Sequence, residues 1–555
     1  MDAAQRTDLT TGPFFLGIDF GTGGCRCGIF DATGEPVHFH DSPWQTSYPG
    51  RGMAEQDPRQ WWESLVRATR MVVAESGVVP QAIKGIGFGA TSATLVSVDE
   101  AGEVLRPAML WMDVRATEQA ARADALDHPV RRYNGGGQTP ATAEWYPFKA
   151  AWLRENEREV YERTRWLLDC PDWLGFKLTG ELRVNLCSAS LKMYHDNELG
   201  GWPTDFYEAV GAGDAFDRLP GQMGIPGTQL GTLLPGVAEE LGLVAGTPVG
   251  VGIVDAECGM LGLNVLEPGR MALITGSSDV LLGQADAPIS GPGFFGGYTD
   301  ALVQGLYIVE GAQASTGSAL RWFRDNFAGE VKPAADALGV SAFDLLNRIA
   351  KDIPIGSDGV VINEYFQGNR TPYTDSRARA TITGLGLHHT SAHVYHALQE
   401  AACYGLEHNL RAMRQAGFSA DQLVACGGSL NSRDWMQMHA DVTGVAITTT
   451  KVQDASCLGA AILGAAASGL VGDMKQAADA MVHEVDVIEP DQAAHEEYRF
   501  WTDAYIDLYP GVREVQHRIA DHLARQRVPQ QAGGSTEGGG EAADAGQDEE
   551  GPGGR

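Results

Sequence analysis

The sequence predicts an α/β protein of two domains, with sheets buried behind helices. Three observations carry that prediction. The chain has 555 residues, well past the size at which one core keeps growing, so two units of roughly 200 to 250 residues are expected. Short apolar runs that read as strands alternate with helical patterns. A strand-turn-strand plan also occurs twice, as "LGIDFGTGGCRCGIF" near the start and "MALITGSSDVLLG" over residues 271–283, which suggests a duplicated domain.

Taken in order, residues 1–12 form a polar lead that is expected to be disordered. "FFLGIDF" and "CRCGIF" then make a hairpin whose turn is rich in glycine. "DPRQWWESLVRATRMVVAES" reads as a helix: Asp57 can cap it, Pro58 opens it, Gln60 completes a capping-box pattern, and Trp61, Leu65, Ala68 and Val72 form an apolar stripe. "IKGIGFG" and "ATLVSVD" follow as strands. In "GVGIVDAECGMLGLNV", residues 250–265, an apolar strand delivers Asp255 to the start of a helical segment. After the second hairpin, a long helix is expected over residues 391–415, with Val394, Leu398, Ala401, Gly405 and Met413 on or near one face and Gly417 as its stop. "LVACGGSLNSRDWMQMHADVTG" is a strand ending in Gly427-Gly428 that leads into a helix. From Gln531 onward the chain holds nine glycines, six acids and no aromatic residue, so residues 529–555 are expected to be a disordered acidic tail. The expected domains are 13–265 and 266–528.

Composition excludes some partners. Lysine and arginine number 41 against 72 acids, a net charge of −31, which repels nucleic acid and anionic membrane surfaces. Small phosphorylated ligands stay compatible, because a nest of backbone N–H groups binds phosphate whatever the global charge. The eight cysteines contain no CxxC pair, so reduced thiols are expected rather than a zinc knuckle. With neither a basic-apolar leader nor an apolar run of about 18 residues, a cytoplasmic protein is expected.

Three segments can carry chemistry. In the first turn, Gly21, Gly23 and Gly24 let backbone approach a polyphosphate, Thr22 adds a hydroxyl, and Asp19 at the strand end can hold a hydrated Mg²⁺. An ordinary Asp-Gly hairpin is the alternative. A dinucleotide fingerprint is excluded because the turn leads into a strand instead of a helix, and neither a P-loop nor protein-kinase motifs occur. Asp255 is placed to accept a proton from a hydroxyl or to cap its helix, and the two roles can coexist. Gly427, Gly428 and Asn431 offer a flat surface for adenine or ribose, or simply a strand-to-helix turn.

Together these segments resemble the FGGY family of carbohydrate kinases, in the actin, hexokinase and Hsp70 superfamily, over about residues 14–470. "GIDFGTGGCR" resembles the family's first phosphate loop, "LITGSS" its second, "VDAECGMLG" its catalytic-aspartate segment, and "CGGSLNSRDWMQMHADVTG" with "DASCLGAAILG" its adenosine region. The resemblance implies two RNase H-like domains with a nucleotide and sugar cleft between them. It also implies transfer of the ATP γ-phosphoryl to the terminal hydroxyl of a pentulose. Asp255 would be the base, and Mg²⁺ would be held by Asp19 through water and by Asp255. Gly21, Thr22 and Gly23 would cradle one side of the triphosphate and Thr275, Gly276 and Ser277 the other, with Gly317, Arg321, Gly427, Gly428 and Asn431 toward adenosine.

On the sugar side, "GIGFGATSATLVSVD" is similar to the Thr-Ser loop of ribulokinases and supplies Thr91 and Ser92. "LWMDVRA" supplies Trp111, Asp113 and Arg115. Glu144 and Trp145 are also expected against the sugar, with Trp111 or Trp145 as an apolar wall, although Glu144-Trp145 departs from or blurs the ribulokinase pattern. "SLKMYHDNELGGWP" and "IVEGAQASTGSALRWF" place sugar contacts on Lys192 and Glu310. Ribulose is the expected acceptor, with xylulose, erythritol or another polyol as alternatives, and a homodimer is expected. A chaperone or filament built on the same fold is the reading from a different class, and it requires neither Lys192 nor Glu310.

Overall fold

The computed structural model describes residues 8–291 and 293–526. The acidic tail lies outside them, as does most of the lead. Residues 8–12 are held in a turn: Gly12 N donates to the Asp8 carbonyl at 3.0 Å, and the Leu9 carbonyl accepts from Val79 N at 3.1 Å. That end of the expected lead is therefore tied to the body.

Two seven-stranded sheets share one plan. In the first, Phe14–Phe20 is central. It pairs antiparallel with Gly24–Asp31, which pairs antiparallel with Pro36–Pro43. On its other side it runs parallel to Ile83–Ala90, whose next neighbour, Pro248–Gly250, is parallel again. In the second, Arg270–Thr275 is central, antiparallel to Asp279–Ala285 and through it to Tyr307–Gln313. Parallel strands Gln422–Gly427 and Ala446–Thr450 extend it on the other side, and antiparallel Phe295–Thr299 and Glu484–Ile488 form its edges. Short turns join the two central strands to the antiparallel neighbours that follow them, Gly24–Asp31 and Asp279–Ala285, and long crossovers join the parallel ones. The central strand FFLGIDF is buried at every position but Asp19, the continuous apolar pattern of a sheet covered on both faces. Cys25 and Cys27 alternate along its neighbour with sulfurs 3.8 Å apart. They pack in the core, and all eight cysteines are free thiols.

Helix Pro58–Ser76 buries Trp61, Leu65, Ala68 and Val72 and stops at Gly77 in a left-handed conformation, φ 72°. Its cap differs from the expected box. The Asp57 carboxylate accepts from Arg59 N at 3.0 Å, while Gln60 N donates to the Asp57 carbonyl, so the reciprocal side-chain bond is not made. Helix Ser391–Gln415 spans its expected range, buries Leu398, Ala401, Gly405 and Met413, and is followed by Gly417 at φ 98°. No helix among the described residues is long and apolar enough to cross a membrane.

The two halves are joined by a pair of helices in backbone contact. Helix Ala455–Ser468, from the second half of the chain, lies on the first sheet so closely that a Cβ at Gly17 would stand 2.1 Å from the Cys457 carbonyl, and one at Gly87 2.0 Å from that of Ala460. Its partner, Asp255–Gly262, faces the second sheet, where a Cβ at Gly259 would meet the Ile274 side chain at 2.7 Å. The helices also touch each other: a Cβ at Gly459 would sit 1.8 Å from the Cys258 carbonyl. Only glycine permits that approach.

Candidate active site

Register brings the acids together. Asp19 and Ile253 both face Gly89 across the first sheet, so Asp19 leaves its strand at the edge where Val254 hands the chain to helix Asp255–Gly262. The second sheet does the same with Thr275, which faces both Asp279 and Gly427. Each hairpin turn is closed by a similar bond, Gly21 N to the Gly24 carbonyl and Gly276 N to the Ser278 carbonyl, both at 3.0 Å. The two turns wall one cavity of about 350 Å³ that also reaches Asp255, Lys192 and Glu310.

The first turn is fixed from outside. The Thr22 carbonyl accepts from Trp44 Nε1 at 3.0 Å and Gln56 Nε2 at 2.8 Å, and the Thr22 hydroxyl accepts from Trp111 Nε1 at 2.9 Å. Its own proton stays available to an anionic ligand. Trp111 thus lines the cavity and also orients the turn. Gly23 has open space around it.

The second turn corrects one expectation. Thr275 does not offer its hydroxyl to phosphate: the hydroxyl donates to the Cys426 carbonyl at 2.9 Å and accepts from Ser429 N and Ser429 Oγ at 3.2 and 2.5 Å. It ties two strand ends together, and the exposed Gly276 and Ser277 and the half-buried Ser278 are what the turn presents.

On the sugar side, Thr91, Ser92, Trp111, Glu144, Trp145, Lys192, Asp255 and Glu310 all line the cavity. Lys192 ends helix Leu186–Lys192 and reaches across to Glu310 Oε2 at 3.3 Å. Its ammonium also lies 5.9 Å from the ring centres of Trp145 and Tyr298, where aromatic faces favour a cation. Asp113 and Arg115 are a second correction. The Asp113 carboxylate is fully buried and takes Ala54 N at 2.7 Å and the Arg115 guanidinium at 2.7 Å, while Arg115 also pairs with Glu55. They brace the segment that carries Trp111 and line no part of the cavity.

Toward adenosine, Gly427, Gly428 and Asn431 line an adjoining cavity of about 510 Å³ together with Lys451 and Asp454. Gly317 and Arg321 do not. Gly317 opens helix Gly317–Phe327 so near the second turn that a Cβ would stand 2.2 Å from the Gly276 carbonyl, which makes it a packing glycine. Arg321 is exposed on that helix.

Electrostatics set the acids apart. Burial, reinforced by Asp255 and Asp454 and opposed by Arg26, pushes Asp19 up to about 8. Burial also raises Asp255, against the pull of Ala256 N and Lys192. Two carboxyls with raised affinity for a positive charge at one strand edge are the hard oxygen donors that suit Mg²⁺. Burial alone would raise Glu310 too, but Lys192 and Arg370 hold it below the usual carboxylate range.

Two charged residues of the cavity, Arg370 and Glu257, lie outside the expected set. Arg370, in the connection after strand Val361–Asn363, approaches Glu144 at 3.6 Å. Glu257 lies two places after Asp255, 2% exposed, and burial together with Glu310 pushes it up to about 8. No periodicity or motif marks Arg370. The juxtaposition of Asp255 and Glu257 in an otherwise apolar run was the visible signal for Glu257.

Residues 14–262 match the N-terminal domain of the FGGY family of carbohydrate kinases and residues 271–468 its C-terminal domain. The chain is 32% identical over 530 residues to an FGGY carbohydrate kinase domain-containing protein of Xenopus laevis, covering 89% of this chain and 95% of that one. It is 29% identical over 495 residues to a ribulokinase of Anoxybacillus flavithermus, covering 82% and 86%. The fold is similar to that of a xylulose kinase from Rhodospirillum rubrum at TM-score 0.79 and 27% identity, covering 91% of this chain and all of that one. With two sheets of one plan, a cleft between them and both family domains matched in order, the chain belongs to the FGGY family of carbohydrate kinases.

Proposed function

We propose that this protein transfers the γ-phosphoryl group of ATP to the terminal hydroxyl of a pentulose, with ribulose as the preferred acceptor. The observation that carries the reading is the single cavity in which both hairpin turns, the Asp19–Asp255 edge and the Lys192–Glu310 pair meet. Asp255 accepts the proton of the attacking hydroxyl as the phosphoryl group arrives. Because such a transition state is loose, placement and charge count for more than the strength of the base. Thr22 and the backbone of residues 21–24 receive the phosphates on one side, and Gly276, Ser277 and Ser278 on the other. Asp19, through water, and Asp255 would hold Mg²⁺, which when bound offsets the charge of the phosphates. Lys192 and Glu310 hold sugar hydroxyls, with Trp145 beneath as an apolar wall. Gly427, Gly428 and Asn431 face the adenosine end.

Ribulose rests on the segments around Thr91-Ser92 and Lys192, together with the likeness to a ribulokinase. A xylulose acceptor is favoured by the comparable likeness to a xylulose kinase. ADP release with D-ribulose, L-ribulose, D-xylulose and erythritol separates the readings: a ribulose should give the highest kcat/KM. Dominant turnover of xylulose or erythritol overturns the preference, and ATP turnover that no sugar stimulates overturns the kinase reading in favour of a chaperone or filament. The reading places the enzyme in the cytoplasm as a homodimer, which sedimentation of the full chain checks.

A further inference from the structure

Five carboxyl groups line the sugar and phosphate cavity, and four have an assigned occupation. Glu310 is paired with Lys192 and Glu144 with Arg370, while Asp19 and Asp255 stand at the phosphate edge. Glu257 is left over. It is buried, and among the described residues that line the cavity it alone has a buried side-chain oxygen, Oε2, with no hydrogen-bond partner, a bond that is costly to leave unmade. A ligand that completes the bond explains its presence.

We propose that Glu257 is a specificity-determining contact whose Oε2 hydrogen-bonds a hydroxyl of a neutral polyhydroxylated sugar, at a carbon other than the one that receives the phosphate. The inference rests on the kinase reading above and names a partner for one oxygen within it. A sugar hydroxyl both donates and accepts, so the bond forms with the carboxyl in either protonation state. The class is neutral because the cavity's two cations, Lys192 and Arg370, already face carboxylates, and a sugar acid would add an anion among acids with no free cation to receive it. Discrimination follows from the same geometry. A site with a buried polar group rejects the analogue that lacks the matching hydroxyl, because the protein group is left unpaired.

The test uses the full chain, its best sugar from the panel, that sugar's monodeoxy analogues and the corresponding aldonate, at saturating ATP. Glu257→Leu should raise the sugar KM by roughly 10- to 100-fold, with the effect on KM rather than kcat and none on the KM for ATP. Glu257→Gln, which still bonds a hydroxyl, should restore KM to within about 3-fold. One monodeoxy analogue should be poor with the wild type and lose nothing further with Glu257→Leu. The aldonate should be a poor acceptor. A Glu257→Leu penalty of equal size on every analogue, a KM within 2-fold of wild type, or an aldonate turned over as well as the neutral sugar overturns the inference while leaving the kinase reading intact. If Glu257→Leu does not fold, the wild-type analogue series with Glu257→Gln decides: uniform analogue kinetics overturn the inference. A wild type that phosphorylates no sugar overturns both.

Discussion

Replacing Asp255 with asparagine separates proton transfer from everything else the residue does. The carboxylate makes one protein hydrogen bond, accepting Ala256 N at 2.9 Å, and an amide oxygen accepts the same bond. Volume and helix start are therefore kept. Burial raises the carboxyl's pKa, meaning that the fold disfavours its charge, so a neutral amide should leave Tm unchanged or higher. What is lost is the acceptor for the hydroxyl proton, an effect of about 10²- to 10⁴-fold, or about 3 to 5 kcal/mol on the barrier. Removing the charge also lowers the pKa of Asp19, which Asp255 helps to raise. Initial rates of ADP release, measured against sugar and ATP, should show kcat falling by that factor with the sugar KM within about 3-fold. In the wild type, the base works deprotonated and its pKa lies above 3.8, so kcat should rise with pH on the acid limb. A folded Asp255→Asn enzyme with kcat within tenfold of wild type would refute the role.

Two further outcomes concern stability. Gly459→Ala puts a methyl group 1.8 Å from the Cys258 carbonyl, where both partners are backbone, so the loss should exceed the ordinary overpacking range of about 1–3 kcal/mol and yield little soluble protein. Gly236→Ala, second in helix Pro235–Leu241 with open space around it, should be neutral or gain up to about 1 kcal/mol; urea titration that ranks the two alike contradicts the contact. Burial pushes Asp279 up to about 7 from 3.8. The folded state then holds a proton that the unfolded state has lost between pH 4 and 7, so stability falls as pH rises through that window. A rise from 3.8 to about 7 is worth up to about 4 kcal/mol. Asp279→Asn, whose amide oxygen still accepts from Thr316 Oγ1, should flatten the decline, and parallel wild-type and variant curves of stability against pH would refute it.

The parts of the fold legible in the sequence are those set by local patterns. The helix at Pro58 announces itself by cap, proline and apolar stripe, and both hairpins by glycine-rich turns between apolar runs. Asp19 and Asp255 stand out because a lone acid ends an apolar strand. What was not legible depends on partners distant along the chain. Thr275 looks like a free hydroxyl until Ser429 and Cys426 are brought to it. Asp113 and Arg115 look like polar contacts until Glu55 and Ala54 N close around them. Arg370 sits in an irregular connection and reaches the cavity only through tertiary folding.

The crossing of helix Ala455–Ser468 onto the first sheet bears on how the protein is made. Strands Phe14–Phe20 and Ile83–Ala90 leave the ribosome several hundred residues before the helix that covers one of their faces. At about 5–20 residues per second the delay is tens of seconds, during which an apolar surface has no cover of its own. Nascent chains stalled before residue 455 should therefore engage holding chaperones, and the first half expressed alone should aggregate unless the second is supplied alongside it.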